Sequence, residues 1–240
     1  ANVWDRDPRK EGELLWPERF GEDEVQHLEK SLGRTAGAAQ LQQEPSPAGG
    51  AMFQKEDLKH RWTEVPGGAR QIMAVDCTFK AAEGSDRVAI QVWAKAWTPS
   101  GYRYLLVDQI CDRLGIVDTV AAIEKMQRRH PKVTSIHVEE KANGAAVIEL
   151  LKKSLTGVKP WPPKGTKFPS KVEKVNAVLP LFENGEVLLP PGKDWMDDYV
   201  QELARFPVGR HDDQVDATTM ALLILRTSAS DMYSKAFGKK

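Results

Sequence analysis

The chain has 240 residues, 41% of them hydrophobic, with 34 basic and 34 acidic side chains and a formal charge of zero. This is enough apolar material for one large domain or a small pair with a real core, and the neutral balance excludes a globally basic nucleic-acid or membrane-surface binder, so any basic patch is local. Cys77 and Cys111 are too few for a disulfide framework and lack metal-ligand spacing, which points to a reducing compartment, and no apolar run approaches the ~20 residues of a membrane span.

Residues 1–70 are polar and broken by Asp7-Pro8, Trp16-Pro17, Ser46-Pro47-Ala48-Gly49-Gly50 and Pro66-Gly67-Gly68, the signature of a connector. One helix is expected from Gly21 to Gly33, where Val25, Leu28 and Leu32 recur at helical spacing. From Gln71 the pattern turns to strands. Ile72 to Cys77, Val88 to Trp97 and Arg103 to Ile110 read as three strands joined by short turns, an antiparallel meander. A helix through Ile116, Val120, Ile123 and Met126 stops at His130-Pro131, a strand follows over Val133–Glu140, and Gly144–Lys153 reads as a second helix. A short strand at Val158–Trp161, a helix from Ser170 to Glu183, a brief strand at Val187–Leu189 and closing helices near Trp195–Arg205 and Asp212–Arg226 complete the main domain, bounded at residues 71–228, with 229–240 as a tail. The expected class is α/β, a mixed sheet of meander plus parallel strands covered by helices on both faces.

Three acidic positions stand out in this frame. Asp76 ends the first strand after a run of apolar residues, a costly place for an unpartnered carboxylate. Glu139 and Glu140 end the strand from Val133; alternation puts Glu139 on the side of His137 and Glu140 on the side of Val138, but a strand buried on both faces leaves the choice open. His211-Asp212-Asp213-Gln214-Val215-Asp216 opens the last helix. Turns counted from Asp213 reach Ala217, Met220 and Ile224, so Asp213 faces inward, Asp212 suits an N-cap, and Asp216 is a further ligand or the partner of a base. Carboxylates converging from strand ends and a helix repel one another unless cations neutralise them. Oxygen-only donors suit Mg²⁺ or Mn²⁺, and two such ions ~4 Å apart support phosphodiester hydrolysis.

Several strings carry a more specific likeness: Leu15-Trp16-Pro17-Glu18-Arg19, Val138-Glu139-Glu140-Lys141-Ala142-Asn143-Gly144 and Phe206-Pro207-Val208-Gly209-Arg210-His211-Asp212-Asp213. In this order they resemble the large terminase subunit of tailed bacteriophages, and the strand-end acids resemble the RNase H-like nuclease plan. The chain has no Gly-x-x-x-x-Gly-Lys-Ser/Thr phosphate loop, so the resemblance implies the nuclease half of that subunit. It implies a Mg²⁺- or Mn²⁺-dependent endonuclease, with two ions, cutting concatemeric double-stranded DNA during packaging in the host cytoplasm. The packaging ATPase domain, the small terminase subunit and the portal are the implied partners. It favours Asp76, Glu139 and Asp213 as catalytic ligands, with Asp212 and Asp216 as further metal ligands and Glu140 and His211 as assisting groups. Lys171 and Lys174 match the family's basic pair for DNA, with Lys164 and Lys167 beside them. The rival readings are another RNase H-like resolvase or exonuclease, and a non-catalytic docking module whose acids are caps and salt-bridge partners.

Overall fold

The apolar run before Asp76 forms β1 (Arg70–Asp76), buried along nearly its whole length, because helices cover the sheet on both sides. A computed structural model of the chain describes residues 10, 12–41, 51–77, 87–140, 144–163 and 170–227. The sheet continues with β2 (Val88–Thr98), β3 (Gly101–Asp112), β4 (Val133–Glu139), β5 (Val158–Trp161) and β6 (Val187–Leu188), in the order β5-β4-β1-β2-β3-β6. Strands β1, β2 and β3 form the antiparallel meander, whereas β4 joins β1, β5 joins β4 and β6 joins β3 in parallel.

Helices α2 (Ile116–Arg129) and α3 (Gly144–Leu151) bury Ile123, Met126, Val147 and Ile148 against Met73, Val75, Ile90, Val92 and Val138. The opposite face carries α4 (Lys171–Glu183), α5 (Met196–Arg205) and α6 (Asp213–Arg226), packed on Ile72, Ala74, Trp93 and Leu106. The expected mixed α/β sheet with helices on both faces is the fold observed. Helix α6 differs from the expected single stripe: it is buried from Asp213 through Leu222, since α4 and α5 flank it while it lies on the sheet.

Two compact units divide the chain, at residues 1–48 and 49–240. In the first, α1 (Glu22–Leu41) runs past Gly33, which the sequence reading takes as its end; Gly33 has φ 75° and breaks the helical path there without ending the element. In the second, residues 51–69, placed in the connector by composition, send Phe53 and Leu58 into the core beside Phe182, around a 3₁₀ turn at Lys55–Leu58. The tail at 229–240 lies outside the described residues. Among the described residues no helix is long and apolar enough to cross a membrane.

A buried ion cluster ties β3 to the end of α2. Asp108 accepts hydrogen bonds from His130 Nε2 and Arg129 Nη1, each at 2.9 Å. Burial alone raises this carboxyl, but the bonds from His130 and Arg129 outweigh it and hold the pKa at about 2. Because that value lies below the ordinary one, the stabilisation is complete above roughly pH 4 and disappears as pH falls toward 2. Asp108→Asn is expected to lower stability near neutral pH by about 2 kcal/mol and to flatten the acid limb of stability against pH. Urea unfolding of both proteins between neutral and acid pH measures both effects.

Candidate active site

The pairing of β1 with β4 brings the strand-end acids together. Val75 pairs with Val138, so Asp76 and Glu139, the next residue on each strand, stand side by side where the strands end. Alternation gives them the same face, since Ala74 pairs with His137 and Ala74 lies against the α4, α5 and α6 layer. Glu139 is therefore turned into the layer beneath α6 and is buried, whereas Glu140 lies beyond the strand end and is exposed. Across the sheet one row runs Cys111, Ala89, Asp76 on β3, β2 and β1, and Glu139, Trp161 on β4 and β5.

The first turn of α6 sits over this row. Gln91, two residues along β2 from Ala89, donates to the Gln214 carbonyl at 3.2 Å. Asp213 lies near enough to Cys111 that its charge, after burial and together with Glu202, raises the Cys111 thiol pKa. Cys77, next to Asp76, is likewise pushed up to about 12, first by burial and then by the charges of Asp76 and Glu139. Asp76, Glu139 and Asp213 are only 2%, 3% and 5% exposed. Three acids buried at one end of a sheet are unfavourable together without cations nearby.

The remaining acids of the cluster are matched to lysines. Ser170 caps α4 through a capping box with Glu173, which aims the helix's first turn at α6. Lys171 Nζ then meets Asp212 Oδ2 at 2.7 Å and Asp216 Oδ2 at 2.6 Å, and Lys174 Nζ meets Asp216 Oδ1 at 3.4 Å. Burial lowers the Lys171 pKa, but the bonds to Asp212 and Asp216 outweigh it and raise it. Lys174 is buried and lies 5.1 Å over the Trp161 ring, the residue paired with Glu139. Its ammonium thus faces the protein interior, where the sequence reading expects a DNA contact. Asp212 occupies the N-cap position of α6, as expected, but makes no side-chain cap bond, because its carboxylate is turned to Lys171. His211 Nδ1 stands 3.9 Å from Asp213 Oδ2. Lys164 and Lys167 lie outside the described residues.

The donor chemistry around Asp76, Glu139 and Asp213 is all carboxylate oxygen, which fits a hard divalent cation. Among the described residues, no group of three His, Cys, Asp or Glu side chains is already gathered closely enough to hold an ion as it stands.

Composition and spacing give no hint of the polar network behind α6. Gln91, Gln109 and Gln214 are buried and bonded to one another, with Trp93 Nε1 and Thr218 Oγ1 both donating to Gln91 Oε1. The signal for them was a pair of glutamines within otherwise apolar strand runs.

A mixed sheet built on an antiparallel meander, with acids at adjacent strand ends and the last helix crossing them, defines an RNase H-like α/β domain. The chain belongs to the terminase RNase H-like domain family, whose model matches residues 73–225. Its fold is similar to the full large terminase of a thermophilic bacteriophage, at 14% identity and a TM-score of 0.61 over 86% of this chain and 53% of that one. It is also similar to the large terminase nuclease of thermophilic phage G20c with bound magnesium, at 17% identity and TM-score 0.52 over 73% and 97% of the two chains. The P22 large terminase nuclease domain gives 17% identity and TM-score 0.53 over 75% and 93%. The chain spans about half the length of the first of these terminases, and identities this low speak to the fold alone. No curated protein matches the chain.

Gly144, the first residue of α3, packs on the strand end that carries Glu139. A Cβ there would stand 1.9 Å from the Glu139 carbonyl oxygen and 3.6 Å from Cys77 Sγ. Helix propensity favours alanine over glycine by ~1 kcal/mol, so the sign of Gly144→Ala tests the contact. The substitution is expected to destabilise by roughly 1–3 kcal/mol, read from urea unfolding.

Proposed function

We propose that this chain is a metal-dependent endonuclease that cuts concatemeric double-stranded viral DNA during genome packaging, with Asp76, Glu139 and Asp213 as its metal ligands and catalytic groups. The observation that carries the reading is the burial of these three carboxylates at one place, two on adjacent parallel strand ends and one on the helix turn above them. Family membership supports the packaging context. The G20c nuclease has been crystallised with bound magnesium and also with bound zinc; for this chain, donors limited to carboxylate oxygen favour Mg²⁺ or Mn²⁺.

Bound ions would supply an activated water and charge stabilisation at the leaving oxygen, the function of a two-metal centre in phosphodiester hydrolysis. The protein's own part is positional. Strand register fixes the spacing of Asp76 and Glu139, and the docking of α6 fixes Asp213 above them. Asp216 is held by Lys171 and Lys174 and acts as the joint between α4 and α6, so we assign it a positioning role ahead of a ligand role. Asp212, half exposed and paired to Lys171, is a reserve acid at the rim. His211 is placed to meet the proton or water nearest Asp213. Glu140, exposed beyond the strand, assists at most from outside.

Lys171 at the mouth of the site, with Lys164 and Lys167 in the stretch leading to α4, is assigned to DNA phosphates, contacts that position the duplex without reading bases. The packaging ATPase domain of the same subunit, the small terminase subunit and the portal are the partners this role requires, acting in the host cytoplasm.

Asp76→Ala, Glu139→Gln and Asp213→Asn test the assignment together. Each is expected to lower plasmid nicking in Mn²⁺ by about 100-fold or more, beyond the 10–100-fold typical of residues outside the ligand set, and to weaken Mn²⁺ binding in calorimetry while circular dichroism stays unchanged. Glu140→Gln should cut close to the wild-type rate. Undiminished nicking by Asp76→Ala would sink the catalytic assignment and leave a DNA-packaging docking module in its place.

A further inference from the structure

We infer that Glu202 is a positioning residue for Asp213, acting as the N-terminal cap that α6 does not provide for itself; the inference rests on the assignment of Asp213 as a metal ligand. The N-cap residue Asp212 makes no side-chain cap bond and its carboxylate is turned to Lys171, so the first N–H groups of α6 need another acceptor. Glu202, on the neighbouring α5, supplies it: its Oε1 accepts from the Gln214 backbone N–H at 2.6 Å. A carboxylate at this end also meets the positive pole of the helix dipole.

The same carboxylate fixes the Gln214 side chain and a third element. Glu202 Oε2 accepts from Gln214 Nε2 at 2.7 Å and from Arg87 Nη2 at 2.5 Å. Asp198, one turn earlier on α5, accepts from Arg87 Nη1 at 2.7 Å and from Gln214 Nε2 at 3.1 Å. Gln109 Nε2 completes the hold on Gln214 Oε1 at 2.6 Å. Gln214, which directly follows Asp213, is fully buried with its backbone N–H, its carbonyl and both ends of its amide bonded. Arg87 directly precedes β2, whose Ala89 pairs with Asp76. The clamp Arg87–Glu202–Gln214 therefore runs from the strand pair that carries Asp76 to the helix turn that carries Asp213, and sets the separation of two acids on different elements.

A role confined to holding α5 against α6 would lower stability without touching the metal. Tyr199→Phe is the matched control, because it removes a different α5–α6 bond, Tyr199 OH to Thr218 Oγ1 at 3.0 Å, further along α6. Glu202→Gln keeps the length of the side chain but replaces one acceptor oxygen with a donor that faces Arg87 and the Gln214 amide. Mn²⁺ titration calorimetry and thermal unfolding are measured on the full chain for wild type, Glu202→Gln, Tyr199→Phe and Asp213→Asn. Both network variants should melt lower than wild type, and only Glu202→Gln should weaken Mn²⁺ binding, by about 10–100-fold as for outer partners of metal ligands. If Glu202→Gln does not fold, Gln214→Leu takes its place with the same expectation. Wild-type affinity in the folded clamp variant, with Asp213→Asn impaired, overturns this inference alone; equal Mn²⁺ binding by wild type and Asp213→Asn overturns the ligand assignment and this inference with it.

Discussion

Parallel pairing of β1 with β4 sets Asp76 beside Glu139, and every other feature of the site is arranged around those two strand ends. Side chains alternate along a strand with period two, so a slip of one residue in this pairing would carry Glu139 to the α2 and α3 face and bring Glu140 inward. The register is held by what lies on each side of the strands. Met73, Val75, Ile136 and Val138 fill the core under α2 and α3, while Ile72 and Ala74 fill the core under α4, α5 and α6. Both layers are apolar and closely packed, so a slipped strand would expose carbon on one face and bury charge on the other.

The acids around α6 fall into two groups by what they touch. Asp212 and Asp216 meet Lys171 and Lys174, which enter from α4. Asp76, Glu139 and Asp213 lie deeper in the fold at the strand ends and the inner side of the helix turn. This division bears directly on the proposed chemistry. Pairing two aspartates with lysines limits the uncompensated negative charge at the α6 terminus, which lowers the repulsion that a first cation must overcome and leaves the inner three as the proposed ligand set. It also removes Lys174 from the charge available to DNA, so phosphate attraction falls to Lys171 and to residues outside the α4–α6 joint. A chain with no net charge then has only local attraction for a duplex, and such binding weakens steeply with salt.

The element types were legible because the pattern of apolar residues is long and consistent: three strands, a βαβα run and two closing helices occur within a residue or two of where periodicity puts them. The inward aim of Asp213 was legible for the same reason. Glu139 against Glu140 was not, since a strand covered on both faces gives alternation no solvent side to refer to; only its partner strand supplies the frame. The 3₁₀ turn and the burial of Phe53 were hidden in a segment whose glycines and prolines read as a connector, because composition reports local chain freedom and not the tertiary pocket that receives one aromatic ring. Lys174 was misread for a related reason. A lysine near a helix start resembles a solvent-facing charge until the buried aspartate across from it is known.

The glutamine network shows how little of a site's precision is local in sequence. Gln91, Gln109 and Gln214 come from three separate elements, and Glu202 and Arg87 from two positions with no motif around them. Buried polar groups of this kind are stable only when all are bonded, which forces β2, β3, α5 and α6 into one relative placement, whereas an apolar interface of equal size tolerates small slides. A metal centre with ligands on two strands and a helix needs that restriction, since an error of an ångström between Asp76 and Asp213 would be carried directly into the spacing of the proposed donors. The apolar sheet can bring the three acids to one end of the molecule; the polar network beneath α6 is what can hold the helix turn in register with the strand ends.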